Sequence, residues 1–176
     1  MYSLILAKKL NLDDMMLEEI ETAGLLHDIG KIGIPQRILC KPGKLTDEEF
    51  EVMKSHPEQG EKMLKDIKKL TLISNWLRTH HEKWDGTGYP NGMKGEEIPL
   101  SGRVIALADT YDAMTSDRPY RKALSHEIAI EEIKRCAGTQ FDPVLAQLFV
   151  DNQEEIKAAK ENPDEYYAKY SYLQKI

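Results

Sequence analysis

The stretch from Leu17 to Pro35 constrains this chain more than any other. Leu17, Ile20, Gly24 and His27 recur at spacings of three and four, so they share one face of a helix, which Asp13 or Asp14 can cap. That core-facing stripe ends in His27-Asp28 and runs on into Ile29-Gly30-Lys31-Ile32-Gly33-Ile34-Pro35. An imidazole and a carboxylate side by side at the end of an apolar face are costly to desolvate unless they are hydrogen-bonded, charge-paired or bound to a cation. His56, His80-His81 and Asp109 supply further candidate ligands downstream. Imidazole nitrogen together with carboxylate oxygen suits Zn, Fe, Mn or Ni, and a carboxylate can bridge two ions.

The rest of the chain reads as helices of the same kind. Leu4 to Leu10 has the pattern of the last turns of a helix, and Thr46-Asp47-Glu48-Glu49 has capping-box form ahead of a helix expected to bury Phe50 and Met53 and to reach His56. Pro57 should open the next helix, and the pattern predicts another from Leu70 to His81. Residues 82–99 carry four glycines and two prolines and read as a long loop, which directly after two histidines points to function. Ser101 is expected to cap a helix that brings Asp109 inward, Ser125 to begin one that Gly138 ends, and Asp142-Pro143 to start another. No segment alternates with a period of two, so the predicted class is all-α.

A length of 176 residues suits one domain with a single core. The formal charge of −6 argues against a nucleic-acid polymer as partner, since such binding draws on many Lys and Arg contacts to phosphate. Cys40 and Cys136 stand alone, giving no disulfide framework, and a reducing cytoplasm is the expected location. No apolar run approaches the ~20 residues that span a bilayer, so no membrane insertion is expected.

Several runs together resemble one family: His27-Asp28-Ile29-Gly30-Lys31, Lys41-Pro42-Gly43-Lys44-Leu45-Thr46, His56-Pro57-Glu58-Gln59-Gly60, His80-His81-Glu82-Lys83-Trp84-Asp85-Gly86-Thr87-Gly88-Tyr89-Pro90 and Ala108-Asp109-Thr110-Tyr111-Asp112-Ala113. Their order is similar to that of the HD-GYP domain, a branch of the HD metal-dependent phosphohydrolase superfamily, and Asp117 to Lys122 and Phe141-Asp142-Pro143 continue the match up to about Val150. The resemblance implies an HD-type helical bundle around a metal site, in which His27, Asp28 and Asp109 hold one ion. Asp28 would bridge to a second, and His56, His80 and His81 would serve that ion or a neighbouring one. Two or three divalent transition metals, Fe or Mn, are implied. Adjacent imidazoles on a helix end point about 100° apart, so His80 and His81 should not approach one ion alike.

The implied activity is hydrolysis of cyclic di-GMP to pGpG, with the end product, pGpG or GMP, left open. Lys31 and Asp28 would be catalytic, and Lys31, Arg118, Arg121 and Tyr89 would hold the substrate, with Arg118 alternatively tying down the bend before Pro119. Asp112 is read as support for the ligands and His126 as an exposed helix residue. Two other readings stand beside this one: a different HD phosphohydrolase acting on a mononucleotide, and a non-catalytic receiver of cyclic di-GMP or a partner protein. Residues 1–150 are taken as the HD-GYP domain and 151–176 as a C-terminal helical extension, packed on the domain or offering a dimer contact. The resemblance also places a further ligand histidine upstream of Met1, so the chain reads as N-terminally truncated, weak in its first ion and low in hydrolysis. A sensory or receiver domain is the expected upstream partner.

Overall fold

A computed structural model describes residues 1–118 and 121–173, and these form eleven α-helices and two short 3-10 turns. Among the described residues there is no β-strand, only isolated bridges such as that joining Arg118 to Arg121. Helix α1 (Tyr2–Lys9) lies at the centre, with Leu4, Ile5, Leu6 and Ala7 all essentially inaccessible. Helix α2 (Asp14–Leu26) packs beside it, buries Leu17 and Ile20, and starts at Asp13, whose side chain accepts the Met16 amide. A 3-10 turn (Ile29–Gly33) and the short α3 (Gln36–Leu39) follow.

Helix α4 (Asp47–Met53) has the anticipated capping box between Thr46 and Glu49, but it buries none of its residues. Phe50 is 46% exposed and Met53 only half-buried, contrary to the expected inward face. The cap and the Lys41–Glu49 ion pair at 2.5 Å hold this helix on the surface, so it has no need of a buried stripe. Helix α5 (His56–Leu64) begins afresh at His56 with Pro57 in its first turn, and α6 (Thr71–Thr79) packs against it.

Residues 82–99 form the expected loop, interrupted by a 3-10 turn at Gly95–Glu97. Helix α7 (Leu100–Thr115) starts directly after Pro99, so Ser101 sits buried inside the first turn instead of capping it. Ser125 does cap α8 (His126–Arg135), accepting the Ile128 amide, and Gly138 follows that helix with φ +80°, a value that glycine adopts without penalty. Asp142 caps α9 (Pro143–Asp151). His126 is not a free surface residue: its Nδ1 lies 2.8 Å from the hydroxyl of Tyr111, a residue that is itself fully buried. Helices α10 (Gln153–Glu161) and α11 (Pro163–Tyr170) bury Ile156, Ala159 and Tyr170 in the same core as α1 and α7. Glu21 of α2, 3% exposed, accepts from Ser171 Oγ at 2.5 Å and from the amides of Tyr172 and Leu173, fastening the segment after α11. No helix of the described residues is long and apolar enough to cross a membrane.

Candidate metal centre

Five of the six anticipated ligands stand at or beside helix ends, where the direction of a side chain is least dictated by its neighbours. His27 closes α2, Asp28 opens the following 3-10 turn, His56 is the first residue of α5, and His80 closes α6 with His81 just beyond. Asp109 projects from within α7. Ligand atoms of Asp28, His56, His80 and His81 all lie within 4.8 Å of one another. His27 Nε2 adjoins them, 3.5 Å from Asp28 Oδ2 and 3.5 Å from Asp109 Oδ1. Because α6 stops at Thr79, His81 has left the helix and can turn its ring beside that of His80, with centroids 4.1 Å apart. Both histidines therefore face the same point, unlike the divergence expected for a continuous helix.

Three of the imidazoles have their tautomer fixed by the backbone. His27 Nδ1 is 2.7 Å from the Gly24 carbonyl, His56 Nδ1 2.8 Å from that of Met53, and His80 Nδ1 2.5 Å from that of Leu77. A carbonyl only accepts, so each Nδ1 carries the proton and each Nε2 presents a lone pair inward. His56 Nε2 then sits 3.4 Å from His80 Nε2 and 3.2 Å from His81 Nε2. Lone pairs at that separation repel unless a proton or a cation lies between them. His27 Nε2 and Asp28 Oδ1 are also buried atoms without a hydrogen-bond partner. Converging imidazole nitrogens oriented by carbonyls, together with carboxylates, fit a divalent transition metal.

Electrostatics agree with that fit. Burial, reinforced by the neighbouring His81, keeps the His80 imidazole neutral well below its ordinary range. Burial and His56 bring His81 down to about 4, so it too offers a lone pair at neutral pH. Burial would raise Asp28, but the contact with His56, the charge of His27 and the Lys31 ammonium hold its carboxyl far below the usual carboxylate range. His27 moves up despite burial, through Asp109 and Asp28. The floor of the cluster is closed by His56 and His80, each 1% exposed, while the side chains of Asp28 and Asp109 keep 37% and 27% of their surface open at the rim.

Gly30 permits this closeness: a Cβ there would meet the His56 carbonyl oxygen at 1.9 Å. Lys31 Nζ stands at the rim, 2.6 Å from Asp28 Oδ2. The Tyr89 ring stacks on His81 with centroids 4.8 Å apart. Its loop is pinned by Glu82, a residue the sequence motif contained but to which no task could be given. The buried Glu82 carboxylate accepts from the Asn91 amide at 2.7 Å and the Met93 amide at 3.1 Å. Arg78 adds a second tie, reaching Glu58, Glu61 and Asn91. Gly88 crosses this anchor so tightly that a Cβ would lie 2.5 Å from Glu82 Cα.

Neither arginine has a described hydrogen bond or ion pair to a residue of the cluster. The Arg121 guanidinium donates to the carbonyl of Ala113 at the end of α7, an end-capping contact, while Arg118 is exposed and, among the described residues, pairs its backbone with that of Arg121. Asp112 is exposed and supports none of the ligands through a described hydrogen bond; it borders a cleft of about 300 Å³ that reaches His27 and Asp109 from the side of Met1 and Tyr167.

Residues 1–145 match the HD domain family. The chain belongs to that family. Within this HD domain the His-Asp pair, the paired histidines and the Gly-Tyr-Pro loop are of the HD-GYP type. A cyclic di-GMP phosphodiesterase of Thermotoga maritima is 45% identical over 153 residues, covering 86% of this chain and 42% of that protein. A 3'3'-cGAMP-specific phosphodiesterase of Vibrio cholerae is 39% identical over 157 residues, covering 88% of this chain and 30% of that protein. Among solved structures, an HD-GYP-type protein from Bdellovibrio bacteriovorus shares the fold with a TM-score of 0.69 at 22% identity, over 87% of this chain and 49% of that one. The chain thus spans less than half the length of the relatives it matches here.

Proposed function

We propose that this HD domain is the catalytic part of a metal-dependent phosphodiesterase that opens cyclic di-GMP to pGpG, with pGpG or GMP as the end product. The convergence of imidazole lone pairs on one point beside Asp28 carries the reading. His27, Asp28, His56, His80, His81 and Asp109 would hold two or three divalent ions, Fe or Mn, with Asp28 as the bridge. Such ions supply a nucleophile from water at neutral pH and a clamp for phosphate oxygens.

The chain's own groups do the remaining work. The carbonyls of Gly24, Met53 and Leu77 keep three imidazoles in the tautomer that ligates. Lys31, paired with Asp28 at the open rim, puts a positive charge where a phosphate oxygen would arrive, in a chain whose net charge is otherwise unfavourable for an anion. Tyr89 keeps its hydroxyl protonated, pushed up by burial and by Asp28 and Asp109, and so can donate to substrate. Arg118, exposed on the surface, would contribute a second cation, whereas Arg121 would serve by holding the end of α7. A sensory or receiver domain elsewhere in the whole protein is the proposed partner, and the domain division at Val150 stays part of the same proposal.

A second reading, hydrolysis of 3'3'-cGAMP, is favoured by the Vibrio cholerae relative. Chromatography of the products formed from cyclic di-GMP, 3'3'-cGAMP and a guanosine mononucleotide by the Mn- or Fe-loaded chain separates the possibilities. Appearance of pGpG supports the proposal. Turnover of the mononucleotide alone points to another HD hydrolase, and binding of cyclic di-GMP without turnover by the metal-loaded whole protein points to a receiver.

A further inference from the structure

Helix α4 carries an aromatic ring that contributes nothing to the core. Phe50 is 46% exposed on a helix without a buried residue, yet it is not isolated: its ring meets that of Tyr89 edge-on, with centroids 6.4 Å apart and planes at 82°. Tyr89 in turn stacks on His81 at 4.8 Å, so two ring-to-ring steps lead from the metal cluster to the surface. Lys54 completes the group, its ammonium 5.4 Å from the Phe50 centroid and 5.9 Å from that of Tyr89. Its other partner is Glu51, 69% exposed at the side chain, and an exposed pair of this kind holds a lysine only weakly.

We propose that Phe50, Tyr89 and Lys54 form a base-binding subsite, in which a purine of the cyclic dinucleotide stacks on the Phe50 ring, with Tyr89 at its edge, while the Lys54 ammonium donates to guanine N7 and O6. The proposal rests on the phosphodiester reading above and adds to it the element that selects the base. A phosphate held at the cluster extends its nucleoside outward by a ribose, and the ring steps from His81 through Tyr89 to Phe50 likewise lead from the cluster to the surface. Stacking on Phe50 is indifferent to the kind of base, since every base has a π-face. Selection comes from the lysine: guanine presents two adjacent acceptors, whereas adenine offers N7 beside an amino donor that a second donor cannot approach. Lys54 thereby favours guanine at this position. With one such subsite on one flank of the cluster, the second base of a cyclic dinucleotide is left less constrained.

Calorimetric titration of the metal-loaded chain with cyclic di-GMP and with cyclic di-AMP tests this, with elemental analysis run on every variant. Phe50→Ala should weaken both ligands at least five-fold at unchanged metal content, and Phe50→Tyr should restore both. Lys54→Met, which keeps the aliphatic stem, should weaken cyclic di-GMP by about tenfold and cyclic di-AMP hardly at all. Phe50→Ala with wild-type affinity for cyclic di-GMP overturns the subsite, as does loss of metal in that variant. Equal losses for both ligands in Lys54→Met overturn its role in selecting guanine. If the metal-loaded wild type binds neither dinucleotide, the phosphodiester reading fails first and the subsite with it.

Discussion

Gly30→Ala places a methyl group where the backbone of α5 already is. The new Cβ would stand 1.9 Å from the His56 carbonyl oxygen and 2.5 Å from the Gly60 amide nitrogen, against 3.4 Å or more for ordinary contact. Both obstacles are main chain, so no side chain can swing away. The turn that carries Asp28 and Lys31 must therefore retreat from the helix that carries His56 by well over 1 Å. Metal–ligand distances tolerate about 0.2 Å, so such a displacement removes Asp28 or His56 from a shared ion. Overpacking of this kind costs roughly 1–3 kcal/mol, or about 2–12 °C in Tm for a chain of this size. Gly24→Ala is the control: its Cβ would meet only Ser3 Oγ at 3.4 Å, within α2, where alanine favours the helix by up to ~1 kcal/mol. Thermal unfolding with chelator present, followed by Mn titration, should show Gly30→Ala less stable and at least tenfold weaker for metal, with Gly24→Ala equal to or above wild type. A Gly30→Ala chain with unchanged Tm and metal affinity would refute the close approach of turn and helix.

Further outcomes follow from the same geometry. Glu82→Gln should leave metal content intact but release the Asn91 and Met93 amides from a charged acceptor, costing about 1–3 kcal/mol in urea unfolding and raising KM for cyclic di-GMP. For the metal-free chain, the depressed His80 and His81 bind protons more readily unfolded than folded, so their contribution is present above the ordinary histidine range and is lost as pH falls from about 6.5 toward 4. His27 works in the opposite sense, but two groups oppose it, and Tm in chelator should drop between pH 7 and pH 4.5. Arg121→Ala should lower Tm by freeing the end of α7, while Arg118→Ala should leave Tm unchanged and weaken cyclic di-GMP alone.

What the sequence displayed was the chemistry at helix ends. His27-Asp28 stood out because an imidazole and a carboxylate closing an apolar stripe need a partner, His56, His80-His81 and Asp109 joined it as proposed ligands only through the family resemblance, and Asp13, Thr46, Ser125 and Asp142 announce helix starts through their own side chains. What it hid depended on distant partners. Phe50 fits an inward-facing pattern, and only the surface position of α4 shows that its ring faces Tyr89. Glu82 stood inside the motif, but its task is to hold amides nine and eleven residues away, which no local spacing records. His126 and Tyr111 meet across fifteen positions, and Glu21 meets the residues after α11 from 150 positions away, so neither pairing leaves a periodic trace.

Elemental analysis of the chain after loading with Mn or Fe and desalting, set beside the Asp28→Ala variant, tests the central claim most directly. The wild type should retain metal and Asp28→Ala markedly less, because the carboxylate placed between His27 and His56 is lost to both sides of the cluster. Equal metal in the two proteins, or none in the wild type, would contradict the assignment of these residues to a metal centre.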